Sequence, residues 1–331
     1  MNTDITLSIL ITTYNRVAFL ETTVSRFISQ ILKEDASDRV ELVIGNDASS
    51  DGTEEFLNRL AGEYPFVKVL NHKKNLGLSG NVEKIVALSR GEYIWHFGDD
   101  DLITDGAVKK ILASIYTHSP NYILINTVNI ESLDERNLDY KIIGERRLDI
   151  QTDMFVQNFT AEADDVRKIH GWLYLTGLLS AVACKKKLFV DLMVEAKKHV
   201  RADNVYLYQT PIIIGISQFG ELYLIASPLV LHRKNENNWT NAVSKILQVN
   251  LYDASEVVRV VKEYMPGEYK EYQKRFAAFV LATLLDAKKK RVNVTAYIFD
   301  ALRKNYNCYP YNIRFAFLLF LPAALVRVFL K

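Results

Sequence analysis

Three consecutive aspartates, Asp99, Asp100 and Asp101, are the residues of this sequence best suited to chemistry. Adjacent carboxylates repel one another unless a cation or hydrogen-bond donors neutralise them. Their hard oxygen atoms suit Mg²⁺ or Mn²⁺, and one or two carboxylates with open metal positions can hold a metal–diphosphate. The trio follows Tyr93–Phe97, a short apolar segment with the pattern of a buried strand. We therefore expect a metal site at the end of this strand; the alternative is a solvated turn before the next helix.

Three earlier segments carry side chains suited to a nucleotide. Asp47 ends an apolar run, and its carboxylate can accept a hydrogen bond from a nucleobase N–H. Tyr14 can stack on a base, and Arg16 can meet a phosphate. Asn75–Asn81 opens a helix whose N–H groups can face an anion. Ordinary turn and cap chemistry is the alternative for each segment, and the glycine spacing fits neither a P-loop nor a dinucleotide fingerprint.

Alternating strand and helix patterns must position these side chains. Strands are predicted over Ile5–Thr13, Val40–Ile44, Val67–Leu70, Tyr93–Phe97 and Tyr122–Val128, and helices over Ala18–Leu32, from Asp51 to Leu60, Asn81–Ser89 and Ala107–Tyr116. This alternation predicts an α/β fold with a mostly parallel sheet and helices on both faces. Such sheets bind ligands beyond the carboxyl ends of their strands, where the polar segments fall.

Composition narrows the class of protein. The chain has 331 residues, 49% of them hydrophobic, as in ordinary folded proteins. Its two cysteines cannot form a disulfide framework or a thiolate zinc site. The start lacks a basic region before an apolar one, so we expect a cytoplasmic protein.

Charge is distributed unevenly along the chain. From Leu285 to Lys331 there are nine basic and two acidic residues, so this segment carries +7 and the rest −5 of the net +2. That distribution argues against nucleic acid as a partner. Phe315–Val326 is apolar and too short to span a bilayer, which favours a helix lying on an anionic membrane surface; the alternative is a buried terminal helix.

Four segments, in their order and spacing, resemble family 2 glycosyltransferases of the GT-A fold. They are Thr-Tyr-Asn-Arg, Asn-Asp-Ala-Ser-Ser-Asp-Gly-Thr, Asn-x-Gly-x-x-x-Asn, and Gly-Glu-Tyr-Ile before an acidic cluster. The resemblance covers about the first 115 residues. It implies a Rossmann-like sheet, a nucleotide-sugar donor, a divalent metal and inversion at the anomeric carbon. The segments Gly177–Lys187 and Glu221–Arg233 look like the abequosyltransferase-type branch, which decorates bacterial O-antigen.

The resemblance also assigns roles to individual positions. It implies donor binding by Thr13, Tyr14, Arg16, Asp47, Asn75, Gly77, Asn81 and Asp99, and metal binding by Asp100, Asp101 and His232. Gly98 occupies the position of the first acid in the family's Asp-x-Asp-Asp pattern, so this acid is either missing here or replaced by Asp99. For His232, a strand-end histidine hydrogen-bonded to the backbone is an equally open alternative.

The acceptor side is less regular. Asp203 is the nearest counterpart of the family's catalytic base, although an N-cap role is equally open; Asp164 and Asp165 are weaker alternatives. We expect a transferase domain over residues 1–235, with a donor half at 1–130 and an acceptor half at 131–235. A helical region should follow at 236–331 with the membrane-surface tail at 309–331. The predicted enzyme moves one sugar onto a glycan or lipid-linked glycan at the inner face of the plasma membrane. The alternatives are a non-catalytic nucleotide-sugar binder and, with little support, a dinucleotide oxidoreductase.

Overall fold

The computed structural model describes residues 5–132, 140–144, 146–157, 178–233, 253–270 and 272–274, together with 284, 287, 288 and 294. The chain divides into two compact units, Met1–Lys198 with Leu207–Asn235 and His199–Tyr206 with Glu236–Lys331. The predicted tail at 309–331 and the candidates Asp164 and Asp165 lie outside the described residues.

Strands and helices alternate through the first unit. The strands are β1 Leu7–Thr13, β2 Val40–Asn46, β3 Val67–Asn71, β4 Tyr93–Gly98, β5 Leu102–Ile103, β6 Tyr122–Ser132, β7 Tyr140–Ile142, β8 Met154–Val156, β9 Val182–Lys185 and β10 Leu222–Arg233. The helices are α1 Val17–Lys33, α2 Thr53–Glu63, α3 Gly77–Leu88, α4 Ala107–His118, α5 Lys186–His199 and α6 Thr210–Phe219, with a 3₁₀ turn at Leu179–Ala181. Helix α3 begins at Gly77, four residues before the predicted start at Asn81. Gly77, the first residue of the helix, has a φ of +73°.

The strands form one sheet in the order β3-β2-β1-β4-β9-β6-β10-β5, with β7 on β6 and β8 on β10. Strands β3, β2, β1 and β4 are parallel, as are β6 and β10. Strand β9 runs antiparallel between β4 and β6 and joins the two parallel groups. The α/β prediction is therefore confirmed, and the antiparallel insertion is the feature that the repeating pattern did not reveal.

Helices cover both faces of the parallel strands. On one face Phe27 of α1 packs edge-on against Trp95 and Phe97 of β4, with ring centroids 5.6 and 4.8 Å apart. On the other face α3 lies so close to β2 that a Cβ at Gly45 would fall 2.0 Å from the Asn81 side-chain oxygen. Burying such apolar surface is the main driving force for folding. The packing fixes the carboxyl ends of these strands relative to the loops that follow them.

A bulge in β10 sets the position of its last residues. The register with β6 shifts between Ile225 and Val230. Asn126 of β6 spans the shift: its amide donates to the carbonyls of Leu148 and Ala226 at 3.1 and 2.7 Å, and its oxygen accepts from the Leu148 N–H at 2.9 Å. Because this buried amide is well satisfied, the bulge is a specified feature.

The second unit contains helix α7, Ala254–Tyr264. Arg201 connects residues 199–206 of this unit to the start of α7. Its guanidinium donates to Asp253 at 2.7 Å and to Glu256 at 2.9 Å. Its Nε also contacts Asp203 at 3.2 Å. In the described parts of the chain, no helix has the length and apolar character needed to cross a membrane.

Candidate active site

The polar segments meet at one edge of the sheet. Strand β1 lies between β2 and β4, with Thr13 opposite Asn46 and Thr12 opposite Gly98. Asp47 and Asp99 therefore follow the two strands that flank β1, at the same carboxyl edge. The Asp47 N–H also donates to the Thr13 carbonyl at 3.0 Å. The convergence expected from the sequence is present.

Side-chain hydrogen bonds join the β1–α1 loop to the β2–α2 loop. Asn15, at φ +53°, donates from its N–H to the Ser49 hydroxyl and accepts from the Ser50 N–H, both at 2.8 Å. Asp51 accepts from the Val17 N–H at 2.9 Å, so it supports the start of α1, while Gly52 is the N-cap of α2. Tyr14 is left 49% exposed beside these contacts. Its ring is therefore accessible for stacking.

The Asp47 carboxylate accepts hydrogen bonds at the N-terminus of α3. Its two carboxylate oxygens accept from the N–H groups of Leu76 and Gly77 at 2.7 and 2.9 Å. Asn75 also accepts from the Gly77 N–H, at 3.0 Å. The helix N-terminus, expected to face a ligand anion, thus faces an internal carboxylate.

Two of the predicted donor residues are buried supports. The Asn81 amide donates to the Gly45 carbonyl at 2.8 Å, and its oxygen lies 3.1 Å from the His72 ring. Thr13 is also buried at the end of β1. The Asn81 amide therefore holds α3 against the end of β2.

Arg16 neutralises the first two aspartates. Its Nη1 donates to Asp99 Oδ1 at 2.8 Å and its Nη2 donates to Asp100 Oδ2 at 2.6 Å. Burial raises the pKa of Asp99 to about 7, and the neighbouring carboxylates add to this while Arg16 opposes it. Burial and Asp101 likewise raise the pKa of Asp100. Burial works against the Arg16 charge, but the aspartates outweigh it and raise the Arg16 pKa.

The third aspartate belongs to a different group. Asp101 Oδ1 lies 2.9 Å from His232 Nδ1 and accepts from the Arg233 N–H at 3.2 Å; Oδ2 accepts from the Ser180 hydroxyl at 2.5 Å. Strand pairing explains the contact, because antiparallel β5 and β10 place Leu102 opposite Leu231, and Asp101 and His232 are the next residues. Asp101 raises the pKa of His232, and despite burial His232 and Ser180 lower that of Asp101. The predicted metal ligand His232 is thus held by a side chain, not by the backbone.

Sequence reasoning missed the side chains that support the aspartate loop. Thr23 donates to the carbonyls of Asp99 and Asp101 at 3.0 and 2.8 Å. Further along α1, Arg26 donates to the Ile103 carbonyl at 2.7 Å and Gln30 to that of Thr104 at 2.8 Å. The signal was available: these three polar residues recur at i, i+3 and i+7 within an otherwise apolar helix face.

The donor set fits a divalent ion held jointly with a diphosphate. Within the described ranges, no group of three or more His, Cys, Asp or Glu side chains is arranged to hold a metal. A metal–diphosphate site needs only one or two carboxylates, because phosphate oxygens complete the coordination. Asp100 is a largely buried carboxylate at the strand end, and it already pairs with the Arg16 guanidinium. Asp101 orients the His232 ring through Nδ1, as carboxylates orient metal-binding histidines. These residues are compatible with the ion.

Asp203 lies in the second unit. Its side chain is 84% exposed and pairs with Arg201. The next helix, α6, begins at Thr210 with Gln209 as its N-cap, so Asp203 caps no helix there. Its predicted role as the catalytic base is untested by these contacts.

The mixed sheet, with its parallel strands and an acidic cluster at their carboxyl ends, has a fold of the GT-A type. The fold is like that of S. aureus TarS in complex with UDP-GlcNAc, with a TM-score of 0.59, 13% identity, and 92% of this chain and 89% of that chain covered. Residues 8–166 match the family described as Glycosyl transferase family 2. Over these residues the chain is similar to family 2 glycosyltransferases.

Curated relatives are similar over about a third of this chain. Abequosyltransferase RfbV of Salmonella typhimurium is 34% identical over 113 residues, which is 34% of this chain and 32% of that protein. A GalNAc(5)-diNAcBac-PP-undecaprenol beta-1,3-glucosyltransferase of Campylobacter jejuni is 29% identical over 107 residues, 32% of this chain and 33% of that protein. The matched region spans about a third of the length of these relatives. The resemblance to family 2 and to its abequosyltransferase-type members is confirmed.

Proposed function

We propose that the chain is a glycosyltransferase that moves one sugar from a nucleotide-sugar donor to a glycan acceptor, with inversion. The carrying observation is that Tyr14, Asp47 and the aspartate trio share one edge of the sheet beside the Arg16 guanidinium. This edge offers an exposed ring for a base, positive charge for a phosphate and carboxylates for a cation. The family 2 domain match supports the same reaction class.

Each residue would contribute a separate part of the chemistry. Tyr14 would stack on the base. The hydrogen bonds of Asn15 fix the backbone of the loop that carries Tyr14, which reduces the entropy lost on binding. Asp100 and the Nε2 atom of His232 would hold a Mg²⁺ or Mn²⁺ ion. When bound, this ion stabilises the negative charge that develops on the departing diphosphate.

Inversion also requires a base that removes the proton of the acceptor hydroxyl. Asp203 remains our candidate because it is an exposed carboxylate in the half of the sequence expected to bind the acceptor. Its variant Asp203→Asn should lower kcat and leave donor binding unchanged.

We further propose a lipid-linked acceptor at the inner face of the plasma membrane, in the synthesis of a surface polysaccharide or O-antigen. The support is the basic, apolar sequence at 309–331 and the similarity to the C. jejuni protein, whose name describes a glucosyltransferase for GalNAc(5)-diNAcBac-PP-undecaprenol. Deleting residues 315–331 should move the protein from the membrane to the supernatant fraction. An unchanged distribution would argue against attachment by this segment.

A thermal-shift screen of UDP-, CDP-, GDP- and dTDP-sugars, with and without Mn²⁺, tests donor binding. We expect one nucleotide class to raise the melting temperature, with a larger rise when Mn²⁺ is present. Release of that nucleoside diphosphate should then be lost in Asp100→Asn and retained in the matched control Asp105→Asn, whose exposed side chain lies in the next loop, between β5 and α4. Donor binding without release in the presence of acceptor extracts would favour the non-catalytic binder.

A further inference from the structure

Arg16 contacts Asp100, the carboxylate that a divalent ion would use, together with the neighbouring Asp99. One guanidinium spans Asp99 and Asp100, with two charge-assisted hydrogen bonds at 2.8 and 2.6 Å. The side chains are largely buried, with 15%, 8% and 13% exposure for Arg16, Asp99 and Asp100, so water screens this interaction little. Arg16 is thus the counter-ion of the pair in the absence of a metal.

Two cations cannot share these oxygens without strong repulsion. A divalent ion on Asp100 would lie within a few ångströms of the guanidinium, where like charges repel strongly at low effective dielectric. Binding of the ion therefore works against the contact between Arg16 and Asp100 Oδ2. The two ligands compete for one carboxylate.

The position of Arg16 in the chain gives it another destination. It precedes α1 and lies two residues after Tyr14, in the loop that we assign to the nucleotide. The Phe19 ring supports the guanidinium, with Cζ 4.9 Å from the ring centroid. A guanidinium released from carboxylates can pair with a phosphate by the same two-pronged geometry.

We infer that Arg16 is an exchangeable counter-ion that couples metal binding to diphosphate binding. Without ligands it neutralises Asp99 and Asp100; when the metal–diphosphate enters, the metal takes Asp100 and Arg16 transfers to a phosphate. Each ligand then favours the other, because the metal frees the guanidinium and the phosphate removes it from the carboxylate. This inference rests on the proposed function and adds a reason why metal alone should bind weakly.

The test measures binding of Mn²⁺ alone to the full chain, by the electron paramagnetic resonance of the free ion at pH 8. We expect Arg16→Gln to bind Mn²⁺ at least about tenfold more tightly than the wild type, because the competing cation is gone. Arg16→Lys keeps the charge but reaches one carboxylate, so its affinity should lie between the two. Arg59→Gln is the matched control: it also removes an arginine over a phenylalanine ring, at 5.6 Å, but from an exposed site on α2, and it should leave Mn²⁺ binding unchanged.

A second measurement adds the nucleoside diphosphate identified in the screen. Without metal, Arg16→Gln should bind it at least about fivefold more weakly than the wild type. The factor by which the nucleotide tightens Mn²⁺ binding should also be smaller in Arg16→Gln, since the exchange is abolished. A residue that only contacted phosphate would weaken nucleotide binding and leave the affinity for Mn²⁺ alone unchanged.

The inference is overturned if Arg16→Gln binds Mn²⁺ alone no more tightly than the wild type, or if Mn²⁺ binding survives Asp100→Asn. If Arg16→Gln does not fold by circular dichroism, Arg16→Lys decides: Mn²⁺ binding no tighter than in the wild type contradicts the exchange. Failure of the proposed function looks different, because the wild type would then bind no nucleotide sugar whatever the Mn²⁺ result.

Discussion

Buried His96 should make the stability of the first unit depend on pH. The substitution His96→Leu should remove this contribution. The residue lies in the middle of β4, with its ring edge-on to Phe189 and Tyr208 at centroid distances of 5.1 and 6.2 Å. Its Nε2 is buried and has no hydrogen-bond partner among the described residues. Burial lowers the pKa of His96 to about 4. The ring is therefore neutral in the folded protein near neutral pH.

The sign of the effect follows from proton linkage. The pKa of His96 is lower in the folded chain than the value of about 6.5 expected after unfolding. Its contribution to stability is therefore complete above pH 6.5 and is lost as the pH falls toward 4, because the unfolded chain takes up a proton that the folded chain refuses. With about 1.4 kcal/mol for each pH unit, the loss between pH 7 and pH 5 is about 2 kcal/mol.

The measurement compares urea unfolding of the wild type and His96→Leu at pH 7, 6 and 5, followed by tryptophan fluorescence, for which buried Trp95 is the neighbouring reporter. Leucine has nearly the volume of histidine and removes the unpaired polar atom, so the variant should be at least as stable at pH 7. Its advantage over the wild type should grow by about 2 kcal/mol on going to pH 5. Other titrating groups are common to both proteins and cancel. Parallel pH profiles for the two proteins would refute the reasoning.

Further predictions concern packing and buried charge. Gly45→Ala places a methyl group 2.0 Å from a buried amide oxygen and should cost about 1–3 kcal/mol in urea unfolding; Gly62→Ala, with open space around it, should be neutral or slightly stabilising. Glu41→Gln removes a fully buried carboxylate that pairs with two cations and should cost about 3 kcal/mol, and a loss below 1 kcal/mol would contradict this account. Ser180→Ala removes the 2.5 Å hydrogen bond to Asp101 and should weaken donor binding in the presence of Mn²⁺ by about threefold or more, measured by calorimetry; unchanged affinity would mean that the serine has no positioning role.

Local sequence patterns predicted much of the fold. The apolar run at the start of β1 and the 3.6-residue spacing in α1 identified both elements to within two residues of their observed ends. The sequence of α6 does not distinguish a helix from a strand, because a short apolar run such as Pro211–Ile216 fits a buried strand and a buried helix equally well. The position of β9 between β4 and β6 has no local signal in the sequence, since no segment states which strands will be its neighbours.

For the site, the sequence by itself determined the chemistry available at the strand ends: an acidic trio after β4, an aspartate after β2, and a tyrosine and an arginine after β1. These assignments depend on residue type and on periodicity, which are properties of a few neighbouring residues. The tertiary structure alone decided which groups meet. Arg16 reaches Asp99 across 83 positions because β1 and β4 are adjacent and parallel, and Asp101 reaches His232 across 131 because β5 and β10 pair in one register. Strand order and register are fixed by burial of the whole sheet, so no segment of the sequence contains them.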